Sequence, residues 1–317
     1  MLNRNINIVS VVGPTASGKT KLSVELAKHF DGEIISADSM QIYQGMTIAT
    51  AKPDAAEQQG IPHHLMDFLP PDQSYSVAMF VDDAKRCIKD IDDRGKLPMI
   101  VGGTGLYVDS LLNNVRFNDE NRDIQITAEL QQIYSEKGLD YLLDMLAQFD
   151  PESAGRLRPG KNPKRVIRAI EFYRTTGITI TEQNKNSQTE PSPYHAVKIG
   201  LNFRDRQKLY DRVNLRVDLM LQQGLEQEAR EVLASPLSFT SAKAIGYKEL
   251  APYINGQLPL DECVEKLKRE TRRYAKRQLT WFKRDPDIQW LFVDDYDSFE
   301  ELYQAAVQII NKGLVYG

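Results

Sequence analysis

"VVGPTASGKT", residues 11–20, sets an apolar run against a loop framed by Gly13 and Gly18 and closed by Lys19 and Thr20. The spacing is G-x-x-x-x-G-K-[ST], and its context turns the pattern into a mechanism. Residues 7–12 read as a buried parallel strand, and the stretch from Gly18 to Phe30 reads as the helix that follows. Glycines let the backbone of Gly13, Pro14, Thr15, Ala16, Ser17 and Gly18 curl so that amides point inward as an anion nest. Lys19 adds a point charge, the helix N-terminus adds its dipole, and Thr20 offers a hydroxyl to Mg²⁺. Such a loop grips phosphates; it does not say what becomes of the group attached to them.

Outward from the loop, "EIISAD" (33–38) and "LPMIVGG" (97–103) read as further strands, with the helical "VAMFVDDAKRCIKDIDDRG" between them. "HAVKIGLNF" (195–203) and "IQWLFVD" (288–294) read as later ones. Strands and helices in alternation predict an α/β fold, a P-loop-like doubly wound parallel sheet. From about 115 to 190 the period becomes helical, and the polar "TEQNKNSQTEPSP" (181–193) reads as a flexible connector. The expected organisation is a core of residues 1–114 and 195–317 interrupted by a helical insertion domain, 115–194.

The totals narrow the function classes. In 317 residues, 41% hydrophobic and 26% charged, no apolar stretch has the length of a membrane span, and no signal-peptide order opens the chain. Cys87 and Cys263 form no metal or redox spacing and read as reduced thiols of a cytoplasmic protein. Net charge is −4, yet Arg156–Arg174 carries seven Lys/Arg against one acid, and Val264–Arg284 nine against two. Two basic stretches on an acidic body make a local anion-binding surface. His63 and His64 are adjacent, which is not metal-ligand spacing, and read as structural or as shaping a pocket.

An NTPase also needs an apolar strand ending in an acid. "PMIVGG" ends in glycines, whereas "IISAD" ends in Asp38, where open α/β folds place ligands. The alternative is a turn aspartate. Thr104, after two glycines, enters a helix and is equally open to reading as an N-cap. Arg212 and Arg216 lie one helical turn apart on one face.

Together "GPTASGKT", "ISADSMQIYQGMTIATAKP", "PHHLMD", "YSVAMF", "IVGGTGLY", "RVIRAIE", "AIGYKEL" and "RRYAKRQLTWFKR" resemble the bacterial tRNA dimethylallyltransferase family, in family order from about residue 8 to 285. The resemblance implies transfer of a dimethylallyl group from dimethylallyl diphosphate to N6 of the adenosine 3′ to the anticodon. It places the diphosphate on residues 13–20 with Mg²⁺ on Thr20, and makes Lys19, Asp38, Thr104 and Arg216 catalytic, Asp38 as the base. Arg212 gains no role from it. Asp38, Ser39, Met40 and Gln41 would contact the target nucleotide. Lys276, Arg277 and Trp281 would hold the tRNA anticodon stem-loop. Lys164, Arg165 and Arg168 would grip it from the insertion, and Gly246 and Tyr247 lie in another tRNA-facing segment. A monomer with no membrane partner is expected. The rivals are a P-loop small-molecule or nucleotide kinase, a nucleotide sensor, and a prenyltransferase acting on free AMP.

Overall fold

The computed structural model describes residues 5–115, 123–186 and 191–314. The chain divides into two compact units, Met1–Leu112 with Pro193–Gly317, and Asn113–Ser192. In the first, β1 (Ile6–Val12), β2 (Gly32–Ser36), β3 (His63–His64), β4 (Leu97–Gly102), β5 (Tyr194–Asn202) and β6 (Gln289–Phe292) form one sheet in the order β3-β2-β4-β1-β5-β6. Every pairing is parallel. Parallel strands need crossovers, and helices supply them: α1 (Lys19–His29), the short α2 (Ala55–Gln58), α3 (Val77–Asp93) and α4 (Gly105–Leu112) follow the first four strands.

The sheet is buried on both faces, which is why its strands read as continuous apolar runs. Val9, Val11, Ile34, Met99, Ile199 and Leu201 share one core with Leu22 and Leu26 of α1 and with Leu302, Val307 and Ile310 near the C-terminus. The alternate residues Ile8, Val12, Ile35 and Ile100 are equally buried. The α/β, P-loop-like parallel sheet is therefore present. The two-residue β3 carried no period to read; His63 and His64 form the edge strand, with His64 Nε2 2.8 Å from Glu33 and His63 Nδ1 2.8 Å from the Ile61 carbonyl. These histidines are structural.

The second unit contains α5 (Ile124–Ala147), broken at Gly138 by a backbone φ of 80°, then α6 (Pro151–Leu157), α7 (Pro163–Thr176) and α8 (Ile180–Asn186). Leu130, Leu142, Leu146, Val166 and Ile170 form its own core. The connector expected over 181–193 is in part helix. Glu182 accepts from the Thr179 amide and hydroxyl while its own amide donates to Thr179 Oγ1, a reciprocal cap that starts α8 despite its polar composition. Residues 187–190 of that connector lie outside the described residues.

The first unit resumes with α9 (Arg206–Gln222), α10 (Leu225–Leu233), α11 (Tyr247–Ile254), α12 (Leu260–Phe282) and α13 (Phe299–Gly313). Of these, α12 is amphipathic: Cys263, Leu267, Ala275, Gln278 and Phe282 are buried, whereas Lys276 and Arg277 are exposed. Among the described residues, no helix is long and apolar enough to cross a membrane.

Candidate active site

Parallel strands end on one side, so the segments leaving β1, β2 and β4 meet there. The loop after β1, Asp38 two residues after β2, and Gly102–Gly103 at the end of β4 border a cavity of about 290 Å³. Lys19, Thr20, Asp38, Arg216, Tyr274 and Arg277 all line it. A second cavity of about 420 Å³ lies on the other flank of the loop and shares Lys19, Thr20 and Arg216 with the first. Gly18 takes a φ of 94°, a left-handed conformation that favours glycine, and α1 begins at the next residue. In the same loop the buried Ser17 Oγ has no hydrogen-bond partner within the protein, and Ser17 borders the second cavity.

Three charges share this site. The Lys19 ammonium donates to the Pro14 carbonyl at 2.7 Å. Burial first, and then the neighbouring Arg216, pull its pKa down to about 7, with Asp38 opposing them. Arg216 is likewise lowered by burial, against the attraction of Asp38. Burial raises the Asp38 carboxyl, opposed by the Met40 amide and then by Lys19. Two cations and one carboxylate give a net positive site, suited to an anion with a basic group facing it. Arg212 donates to the Ala16 carbonyl at 2.9 Å and so braces the phosphate loop from α9.

Asp38 is both a turn aspartate and a cavity group: its Oδ1 accepts from the Met40 amide at 2.9 Å. Thr104 Oγ1 accepts from the Ser39 amide at 3.0 Å and lies 3.3 Å from the Ser39 hydroxyl, so its hydroxyl braces the Asp38–Ser39 turn. Ser39, Met40 and Gln41 all border the cavity. The Gln41 amide is spent inside the protein: its Nε2 donates to the Thr50 and Ala51 carbonyls and its Oε1 accepts from Ser36.

Gly246 borders the cavity, but Tyr247 is buried, with its hydroxyl 2.9 Å from Glu228. The phenol is thus engaged inside the protein. Lys276 and Arg277 are exposed. Trp281 is half-buried; its indole donates to Asp109 at 2.5 Å and lies over Gly105, where an added Cβ would come within 2.2 Å of the ring. It ties α12 to α4, and the Arg284 guanidinium lies 5.3 Å from its ring centroid. In the second unit Lys164 and Arg165 are exposed, while Arg168 pairs with the buried Glu171 at 3.1 Å.

Sequence reasoning missed two organising residues. Gln278, buried on α12, accepts from the Thr15 amide at 2.9 Å and donates to the Gly103 carbonyl at 3.0 Å, tying the basic helix to the phosphate loop and to β4. Glu228 of α10 accepts from the consecutive amides of Thr47, Ile48 and Ala49 at 2.9, 2.6 and 2.9 Å. That carboxylate fills a backbone nest and fixes the wall formed by residues 49–51. Both sit among other polar residues in charged helices, so neither stood out, and the partners of Gln278, 175 to 263 residues away, were not legible.

Among the described residues, no three His, Cys, Asp or Glu side chains cluster to hold a metal. The donor set does fit a divalent cation shared with phosphate: the Thr20 hydroxyl borders both cavities beside oxygen donors of the same kind as Asp38 and Thr15.

Sheet and loop define an α/β protein with a P-loop-like core, in which a buried carboxylate and two buried cations line one cavity. The IPP transferase family model matches residues 41–285, and the isopentenyl transferase model residues 6–68. A tRNA dimethylallyltransferase of Thermoanaerobacter sp. (strain X514) is 47% identical over 308 residues, 96% of this chain and 98% of that protein. One from Oceanobacillus iheyensis is 47% identical over 284 residues, 89% and 90% of the two. The crystal structure of a full-length tRNA isopentenylpyrophosphate transferase from Bacillus halodurans matches with a TM-score of 0.71 at 42% identity, covering 98% of each chain. A eukaryotic dimethylallyltransferase acting on tRNA matches with a TM-score of 0.80 at 28% identity, covering 98% of this chain and 81% of the other. The chain belongs to the tRNA dimethylallyltransferase family.

With its pKa lowered to about 7 by burial and Arg216, Lys19 is expected to gain a proton if a diphosphate binds beside it. Calorimetry near pH 8 in buffers of different ionisation enthalpy is therefore expected to report uptake of about one proton per diphosphate bound, absent in Lys19→Met. Affinity is expected to weaken as pH rises above about 7; uptake equal in both proteins contradicts the assignment. For Glu228→Gln, which cannot accept from three amides at once, kcat/KM for tRNA is expected to fall about tenfold with diphosphate affinity within about twofold. An equal loss for both substrates would make Glu228 a general structural residue.

Proposed function

We propose that this protein transfers the dimethylallyl group of dimethylallyl diphosphate to N6 of the adenosine adjoining the anticodon of tRNA on its 3′ side. The observation that carries the reading is the placement of Asp38 in the cavity that Lys19 and Arg216 also line. The bond from the allylic carbon to the diphosphate oxygen breaks, and its electron pair leaves with the diphosphate. The loop amides, Lys19 and Arg216 stabilise the charge that develops there. N6 forms the new bond to carbon and becomes cationic, and the Asp38 carboxylate takes its proton. A divalent cation held by Thr20, when bound, neutralises further diphosphate charge.

Burial raises the Asp38 carboxyl, the direction that strengthens a general base, and the Met40 amide, Lys19 and Arg216 oppose that rise. Turnover is thus expected to rise with pH as Asp38 ionises. The exposed Lys276 and Arg277 suit an RNA backbone, and the cavity suits an extruded base. A kinase would use the same loop, but family membership and a cavity with the basic α12 along its border favour prenyl transfer to RNA.

The test is mass analysis of tRNA nucleosides after reaction with dimethylallyl diphosphate and no ATP. Isopentenyladenosine is expected from the wild type. Asp38→Asn should bind tRNA normally and lose about a hundredfold or more in kcat. Unmodified tRNA from the wild type would refute the activity, and near-normal turnover in the variant would remove Asp38 from the mechanism.

A further inference from the structure

The proposed acceptor is a base drawn out of an RNA loop, and unstacking it and its neighbours costs free energy that aromatic surfaces at the cavity mouth recover. Trp281 is already engaged: its indole donates to Asp109, its ring lies against Gly105, and the Arg284 guanidinium is 5.3 Å from its centroid. Phe68, another exposed aromatic of this unit, lies edge-on to Tyr75. Phe239 is different. It is 67% exposed, and the Lys243 ammonium sits 3.4 Å from its ring centroid.

A single exposed phenyl is ordinary on a protein surface. Here, however, the segment that carries it is held firmly. Ser238, at 7% exposure, donates its amide to the Pro71 carbonyl at 2.8 Å, and the fully buried Ser241 donates its hydroxyl to the same carbonyl at 2.6 Å. The two serine hydroxyls lie 3.1 Å apart. The phenyl is therefore presented between two anchored residues and does not hang from a loose tip. Its position also matters, because Lys243 lines the cavity, as do Lys248 and Arg277. Lys248 in turn donates to the Lys243 carbonyl at 3.3 Å. An open aromatic face held by one cation, at the border of a cavity lined by that cation and two more, is a composition that binds single-stranded nucleic acid: cations take phosphates and the ring takes a base.

From this juxtaposition we infer that Phe239 is a stacking platform for an unpaired RNA base flanking the extruded adenosine, with Lys243 holding one face of the ring and the base covering the other. The inference rests on the proposed function only for the identity of the RNA. Phe239 takes no part in the chemistry; it is a binding residue on the acceptor side.

The test is binding of a fluorescent anticodon stem-loop RNA to Phe239→Ala, Phe239→Leu and Phe239→Trp. Melting temperature and affinity for inorganic diphosphate are measured alongside. The alanine and leucine variants are expected to bind the RNA about tenfold more weakly, with tryptophan restoring wild-type binding. A stacking contact carries no charge, so the slope of log Kd against log salt stays unchanged in all three, whereas Lys276→Ala lowers it by about one. Wild-type binding by the leucine variant, or failure of tryptophan to restore binding, overturns the inference. So does an alanine variant that melts earlier or loses diphosphate affinity. Wild-type protein that binds the RNA through Phe239 yet never prenylates it would refute the proposed function and leave this inference standing.

Discussion

Two cations and a carboxylate, Lys19, Arg216 and Asp38, are confined to one cavity where burial weakens the hydration of all three. Each holds the others in check. Arg216 drives Lys19 toward neutrality, Asp38 opposes that, and both cations keep the Asp38 carboxyl from rising as far as burial alone would take it. Such a site is poised between protonation states, and an arriving anion changes all of them in the same direction. The sheet creates this arrangement: β1 delivers the phosphate loop and β2 delivers Asp38, two strands apart in the order β2-β4-β1. Between them, Gly102 at the end of β4 leaves room, since a Cβ there would meet the Ala37 carbonyl at 2.3 Å.

The surrounding polar groups fix this geometry from a distance. Gln278 bonds at once to the phosphate loop and to the end of β4, from the helix whose outer face carries Lys276 and Arg277. Glu228 gathers three amides of the 47–49 segment, whose next two carbonyls hold the Gln41 amide, which in turn accepts from Ser36 on β2. The acceptor-side wall is thus referenced to the sheet through a continuous set of hydrogen bonds. Networks of this kind hold a site within the tolerance that catalysis needs.

Much of the fold was legible because parallel strands buried on both faces read as apolar runs, and the glycine loop marks where one meets its helix. β1, β2, β4, β5 and β6 all fall within or beside the expected runs, whereas β3 is too short to carry a period. That the glycine loop and Asp38 would border one cavity was readable because each closely follows a strand of the same sheet. Trp281 shows the opposite case: its indole bonds Asp109, 172 residues away, and nothing local in the sequence announces that partner. The three internal partners of Gln41 were likewise not legible from its place in the sequence. Phe239, isolated in an unremarkable segment, gave no signal in the sequence.

The most direct measurement is a crystal structure with an unreactive thio-analogue of dimethylallyl diphosphate. The account predicts the diphosphate on the amides of residues 16–20, within reach of Lys19 and Arg216, with its allylic carbon facing the Asp38 carboxylate. An analogue bound away from the loop, or an Asp38 side chain turned out of the cavity when it is bound, would contradict it.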